Sequence, residues 1–175
     1  MGTILRWIAG IIAVIVVIIL CGLLFIYSGF YNVSATYPDS HLYAWVFDTA
    51  MTRSVQRHAA GIKVPNLNGS GMYEMGFAHY NSMCVPCHGA PGVPIGHVGK
   101  GLRPAPPELV DSASDWKPNE LFWITKNGIR MTGMPAWGVT HSDQEIWAMV
   151  AFMQKLHSIT PDEYRSLSKR IPPAD

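Results

Sequence analysis

The 175-residue sequence predicts an all-α chain in successive parts: an N-terminal membrane-spanning helix, an amphipathic linker helix, and a compact helical domain. Three observations carry this expectation. Residues 7–27 contain no charged side chain and are dominated by Ile, Val and Leu. From His41 onward, apolar residues return at the three-to-four-residue spacing of a helix. Alternating apolar and polar positions, the mark of a half-buried strand, are not sustained anywhere, and no internal repeat is visible. The formal net charge of +1 gives no signal for nucleic-acid binding.

The first element is the apolar run Trp7 to Tyr27. Its 21 residues make about 31 Å of helix, against a hydrocarbon core of about 30 Å. Arg6 precedes the run and Asp39 is the first charge after it, which favours an inward N-terminus and an outward C-terminal part. The competing possibility is a cleaved signal peptide, with Val33-Ser34-Ala35 as a small-residue cleavage site. Signal-peptide cores run about 7–15 residues, so the longer run favours an uncleaved anchor. Cys21 lies inside it and reads as a small apolar-helix residue. Leu20 before it breaks the bacterial lipoprotein pattern.

The next stretch, a connector, carries Phe30, Tyr31 and Tyr37, rings suited to a membrane–water boundary. Asp39 or Ser40 caps the next helix, His41 to Ala60. Leu42, Val46 and Ala50, then Tyr43, Phe47, Met51, Val55 and Ala59, give it an apolar stripe, with Arg53, Arg57 and others opposite. Packing on the neighbouring domain, lying in lipid headgroups, docking on a partner and plain solvent exposure all fit this helix. Residues 62–70 are turn-rich linker. A helix starts near Met72. The Gly- and Pro-rich stretch from Gly89 to Pro107 is expected to be irregular loop. Pro118 fits the first turn of a helix over Asn119 to Lys126. Ser142-Asp143-Gln144-Glu145 is a capping box for a helix from Asp143 to Leu156, and Thr160-Pro161-Asp162-Glu163 opens a last helix to about Lys169.

The chemistry is concentrated in Cys84-Val85-Pro86-Cys87-His88. C-x-x-C-H is the attachment pattern of c-type haem. Two thiols one helical turn apart can each add to a vinyl group of one porphyrin, and the next histidine then offers a nitrogen to the iron. A zinc site needs a second pair of ligands, and Cys21 is the only other cysteine. A thioredoxin-like pair needs a β-α-β setting, which is missing. The second axial ligand is expected to be Met134. Gly133 and Pro135 flank it, one freeing and one stiffening the backbone. Met131 is its rival and is expected to be a packing residue.

These residues resemble a class I c-type cytochrome from about Gly71 to Leu156. The family pattern places a glycine eight residues and an aromatic four residues before the first haem cysteine, here Gly76 and Tyr80. The resemblance implies that they lie where the first helix crosses the C-terminal one, against Trp147, Val150 and Phe152. It also implies a backbone carbonyl on the far nitrogen of His88, from Pro106 or Pro107. On this basis the chain divides into an anchor (1–28), a connector with the amphipathic helix (29–70), a cytochrome c domain (71–157) and a C-terminal extension (158–175).

Arg103 and Arg130 are candidates to pair with the haem propionates. Trp116, Trp123 and Trp137 are candidate walls of the haem site. The remaining histidines, His41, His58, His79, His97, His141 and His157, show no i, i+4 pair or supporting carboxylate, so each reads as a surface or core residue. The sequence therefore points to an electron carrier rather than an enzyme: one covalently attached haem c, single-pass anchoring through residues 7–27 in a bacterial inner membrane, a cytoplasmic N-terminus and a periplasmic haem domain. It would serve a donor and an acceptor at the membrane. The alternative is a permanent cytochrome c subunit of a respiratory oxidase, reductase or dehydrogenase complex.

Overall fold

The computed structural model describes residues 2–174. Its described residues form helices and turns with no strand; one isolated bridge joins Ala90 and Val93. The chain divides into two compact units, 1–38 and 39–175.

The first unit is α1, Gly2–Tyr27, and the polar and aromatic stretch after it. α1 starts earlier than the uncharged run alone suggests, because Arg6 is compatible with helix. It is long and apolar enough to cross a membrane, and none of its residues is buried by protein.

In the second unit, α2 spans His41–Ala59 and Ser40 is its cap, its hydroxyl accepting from Tyr43 N–H at 3.2 Å. The haem-motif segment begins with α3, Met72–His79, then a π-helical turn, Tyr80–Cys84, and α4, Val85–His88. The widened turn has a local cause. Pro86 has no N–H to donate to the carbonyl four residues back, and its ring crowds that carbonyl. Val85 N–H instead bonds the Tyr80 carbonyl.

The stretch expected to be wholly irregular contains α5, His97–Gly101. Next come α6, Leu109–Ser112, and α7, Pro118–Asn127, whose Glu120 carboxylate accepts from Lys117 N–H at 2.9 Å. α8 runs Asp143–Met153 and α9 Pro161–Arg170. Both carry the capping boxes read from sequence, Ser142 with Glu145 and Thr160 with Glu163. α8 ends three residues before Leu156, which opens a 3₁₀ turn instead.

The core is the crossing of α3 and α8. Gly76 sits so tightly on α8 that a Cβ there would lie 2.0 Å from the Ala148 carbonyl oxygen. Tyr73, Phe77 and Tyr80 place their rings within 5.3–5.5 Å of Phe152, a spacing at which aromatic pairs attract beyond their buried area. Ala148 and Phe152, one turn apart, form the crossing face. Trp147, one residue before Ala148 and so turned by about 100°, stacks on Phe122 of α7 at 4.1 Å. The segment after residue 157 is not a loose tail. Tyr164 and Leu167 are buried in the same core. Tyr164 lies 5.3 Å from Phe77 and donates to Asn81 Oδ1 at 2.9 Å.

Candidate haem site

The site is built around the end of the α3–α4 segment. Cys84 is buried and Cys87 and His88 partly so. Burial, with a smaller contribution from Cys87, pushes the Cys84 thiol up to about 12, so before any bond forms it stays protonated at neutral pH. His88 Nδ1 donates to the Pro107 carbonyl oxygen at 2.8 Å. That bond fixes the ring's tautomer and turns Nε2, with its lone pair, the other way. Burial lowers the pKa of His88 and outweighs the opposing effect of the Pro107 carbonyl. The ring is therefore neutral, the form that can bind iron. Pro106 has no hydrogen bond to His88; of the two prolines, Pro107 supplies the contact.

Two close approaches hold the surrounding loops. α5 lies on the motif: a Cβ on Gly99 would meet the Cys87 carbonyl oxygen at 2.5 Å. Leu102, just beyond α5, packs over Gly133, where a Cβ would come within 2.7 Å of its methyls. A continuous set of contacts thus runs from the cysteine pair through α5 to the residue before Met134. The methionine loop is fixed at its other end as well. Gly128 closes α7 with φ +65°, a backbone that disfavours a side chain, and the Met134 carbonyl comes close behind it. Met134 N–H donates to Thr132 Oγ1 at 3.1 Å and its carbonyl accepts from Ile129 N–H at 3.2 Å.

Met134 is partly buried. Met131 does not pack as expected: it is 82% exposed with φ 63°, because the chain reverses there through the left-handed region and swings the side chain outward. Arg103 is exposed and its guanidinium donates to the neighbouring Leu102 carbonyl at 3.0 Å. Arg130 is exposed and forms no ion pair among the described residues. Trp137 lies in a 3₁₀ turn, its ring edge-on to His141 at 5.6 Å. Trp116 packs against the core, and Trp123 stacks on His58 of α2 at 5.6 Å.

Sequence reasoning missed two features. Tyr80 O–H donates to the Gly89 carbonyl at 2.8 Å inside the protein, tying the crossing helix to the residue after His88; the aromatic at position 80 was visible, but its hydroxyl's partner was not. His79 is buried and does have a carboxylate, Glu145 Oε1 at 3.7 Å, with His141 edge-on at 5.2 Å. These partners lie more than sixty residues away, beyond any local spacing rule. No group of three His, Cys, Asp or Glu side chains among the described residues is arranged to hold a metal.

The donor set fits a c-type haem: two thiols one turn apart, a neutral imidazole oriented by a carbonyl, and a thioether in a loop fixed at both ends. No curated protein and no solved structure matches the chain. Residues 71–153, just under half of the chain, match a family model described as cytochrome c oxidase, cbb3-type, subunit III. The match covers the α3–α4 motif, the methionine loop and all of α8, so residues 71–153 are similar to a c-type cytochrome domain, the kind that transfers electrons through haem, and they follow one N-terminal helix long and apolar enough to cross a membrane.

Proposed function

We propose that the chain is a single-haem electron carrier anchored by α1 in a bacterial inner membrane, its N-terminus cytoplasmic and its haem domain periplasmic. It moves one electron between a donor and an acceptor at that membrane. The bound haem supplies reversible one-electron exchange at iron. The chain supplies everything around it. Cys84 and Cys87 would hold the group covalently, His88 and Met134 would bind its iron, and Pro107 keeps the His88 ring in one orientation. A thioether ligand from Met134 would favour reduced iron and raise the potential. Arg103 and Arg130, both exposed, would pair with the propionates, and Trp137 would wall the site. The observation that carries this proposal is the His88–Pro107 bond: a C-x-x-C-H histidine with its far nitrogen bonded and its near nitrogen free.

The family description favours a second reading, in which the chain is a permanent subunit of a larger oxidase, reductase or dehydrogenase. Purification of the full chain in mild detergent from its native membrane distinguishes the two. The carrier predicts a haem-stained monomer whose haem is reduced and reoxidised in step with membrane turnover. Co-purification at fixed stoichiometry with other subunits establishes the alternative. A pigment-free chain contradicts both.

A further inference from the structure

α2 is two helices in one. From Val55 onward it belongs to the domain. Val55 and Ala59 are fully buried, Asn119 Nδ2 donates to the Ala59 carbonyl at 2.8 Å, and His58 stacks on Trp123. Toward its start the same helix touches almost nothing. Every residue from His41 to Ala50 is exposed, including Leu42 at 70% and Trp45 at 65%, along with Tyr43, Val46 and Phe47. Five large apolar or aromatic side chains within six positions, with no charge before Asp48, are not a solvated surface. Leu42, Val46, Tyr43 and Phe47 share one side, and Trp45 broadens it.

We infer that residues 41–50 of α2 lie in the lipid headgroup region, apolar side inward, as a second and interfacial attachment to the membrane. The inference rests on α1 being the anchor. Three observations select lipid over a protein groove. First, only thirteen residues, 28–40, separate α1 from α2, a reach of about 45 Å even if fully extended, so this half-helix is confined near the bilayer that holds α1. Second, the exposed connector residues Phe30, Tyr31 and Tyr37 continue the same composition, so aromatics extend from the end of the span through Phe47. Trp and Tyr concentrate at membrane–water boundaries, where one end of the ring is apolar and the other wet. Third, past Asp48 the charges along the helix are positive, at the exposed Arg53 and Arg57, which suits anionic lipid beside an interfacial helix. Because the second half of α2 is rigidly seated on α7, embedding the first half fixes the height and tilt of the haem domain above the membrane. A flexible tether would not.

The test uses the haem-loaded full chain in vesicles of phosphatidylcholine and phosphatidylglycerol, with Cys21→Ala as background and single spin labels introduced by Leu42→Cys, Trp45→Cys, Val46→Cys, Gln56→Cys and Val16→Cys. All five positions are partly or wholly exposed, so folding is preserved, and the haem spectrum verifies it. The readout is the relative accessibility of each label to oxygen, which enriches in lipid, and to a water-soluble nickel chelate. Labels at 42, 45 and 46 are expected to favour oxygen several-fold more than the label at 56. Equal nickel accessibility at 45 and 56, with 16 protected, overturns the interfacial helix while leaving the anchor intact. Nickel accessibility at 16 overturns the anchor itself. Protection of 42, 45 and 46 in native membranes but not in pure lipid vesicles overturns the lipid assignment in favour of a protein partner.

Discussion

A single carbonyl decides what His88 can do. With Nδ1 bonded to Pro107, the imidazole has one free nitrogen and one orientation, and burial keeps it neutral. At the methionine end the same scale separates two neighbours. Met134 has its backbone bonded on both sides, whereas Met131 points into solvent. Met134→Ala is therefore expected to abolish the red charge-transfer band of iron–thioether ligation and to lower the reduction potential, while Met131→Ala leaves both unchanged. Visible spectra and redox titration check this, and the reverse pattern would reassign the ligand. Tyr80→Phe removes a buried donor and leaves the Gly89 carbonyl unpaired, a loss of about 1–3 kcal/mol measurable by denaturant unfolding of the haem-loaded protein. The choice of Pro107 over Pro106 was not legible in the sequence, because both belong to the same loop and only the folded chain sets which carbonyl faces the ring.

At the scale of elements, helix starts were the most readable feature. Ser142 with Glu145 and Thr160 with Glu163 are short-range hydrogen-bond patterns, so four consecutive letters specify them. Ser142→Ala is expected to cost about 1 kcal/mol by removing the α8 cap. The α3–α8 crossing was legible through Gly76 and Tyr80 only because the family resemblance supplied their meaning. Of the α8 residues expected there, Phe152 meets Tyr80, whereas Trp147 stacks on Phe122 of α7. Gly76→Ala forces a methyl into the Ala148 carbonyl, and overpacking of this kind costs about 3 kcal/mol. A circular-dichroism melt of the variant should show a markedly lower midpoint, and an unchanged midpoint would mean that the helices are not in backbone contact. The π turn at Tyr80–Cys84 and helix α5 were missed for a common reason: one answers to Pro86 and the other to packing on Cys87, neither of which appears as a periodic apolar pattern.

The whole molecule joins parts that the sequence presents as separate. The final helix contributes Tyr164 and Leu167 to the core of the haem domain, and α2 is half core and half exposed, a division invisible in its even apolar stripe. Buried His79 links α3 to Glu145 of α8 and to His141, and its effect is global. Burial, then the charge of His141, lowers its pKa below the ordinary 6.5, with Glu145 opposing. The unfolded chain thus takes up this proton before the folded one does. The stability His79 contributes is complete above pH 6.5 and is lost as pH falls below it. Glu145, whose pKa is lowered chiefly by Ser142, adds its own loss only below 4.5. Unfolding free energy of haem-loaded protein, measured between these two values, is expected to fall with pH in the native chain and to run flatter in His79→Gln. Equal slopes would mean that His79 titrates as it does in water.

The electron-carrier reading depends on a porphyrin joined to the chain at Cys84 and Cys87. The most direct measurement is the intact mass of the chain expressed with a cytochrome c maturation system, taken after full denaturation. The expected result is the chain plus one haem, reduced to the bare chain mass in a Cys84→Ala, Cys87→Ala double variant. A native chain that denatures to its bare mass, with the pigment released to solvent, would contradict the account.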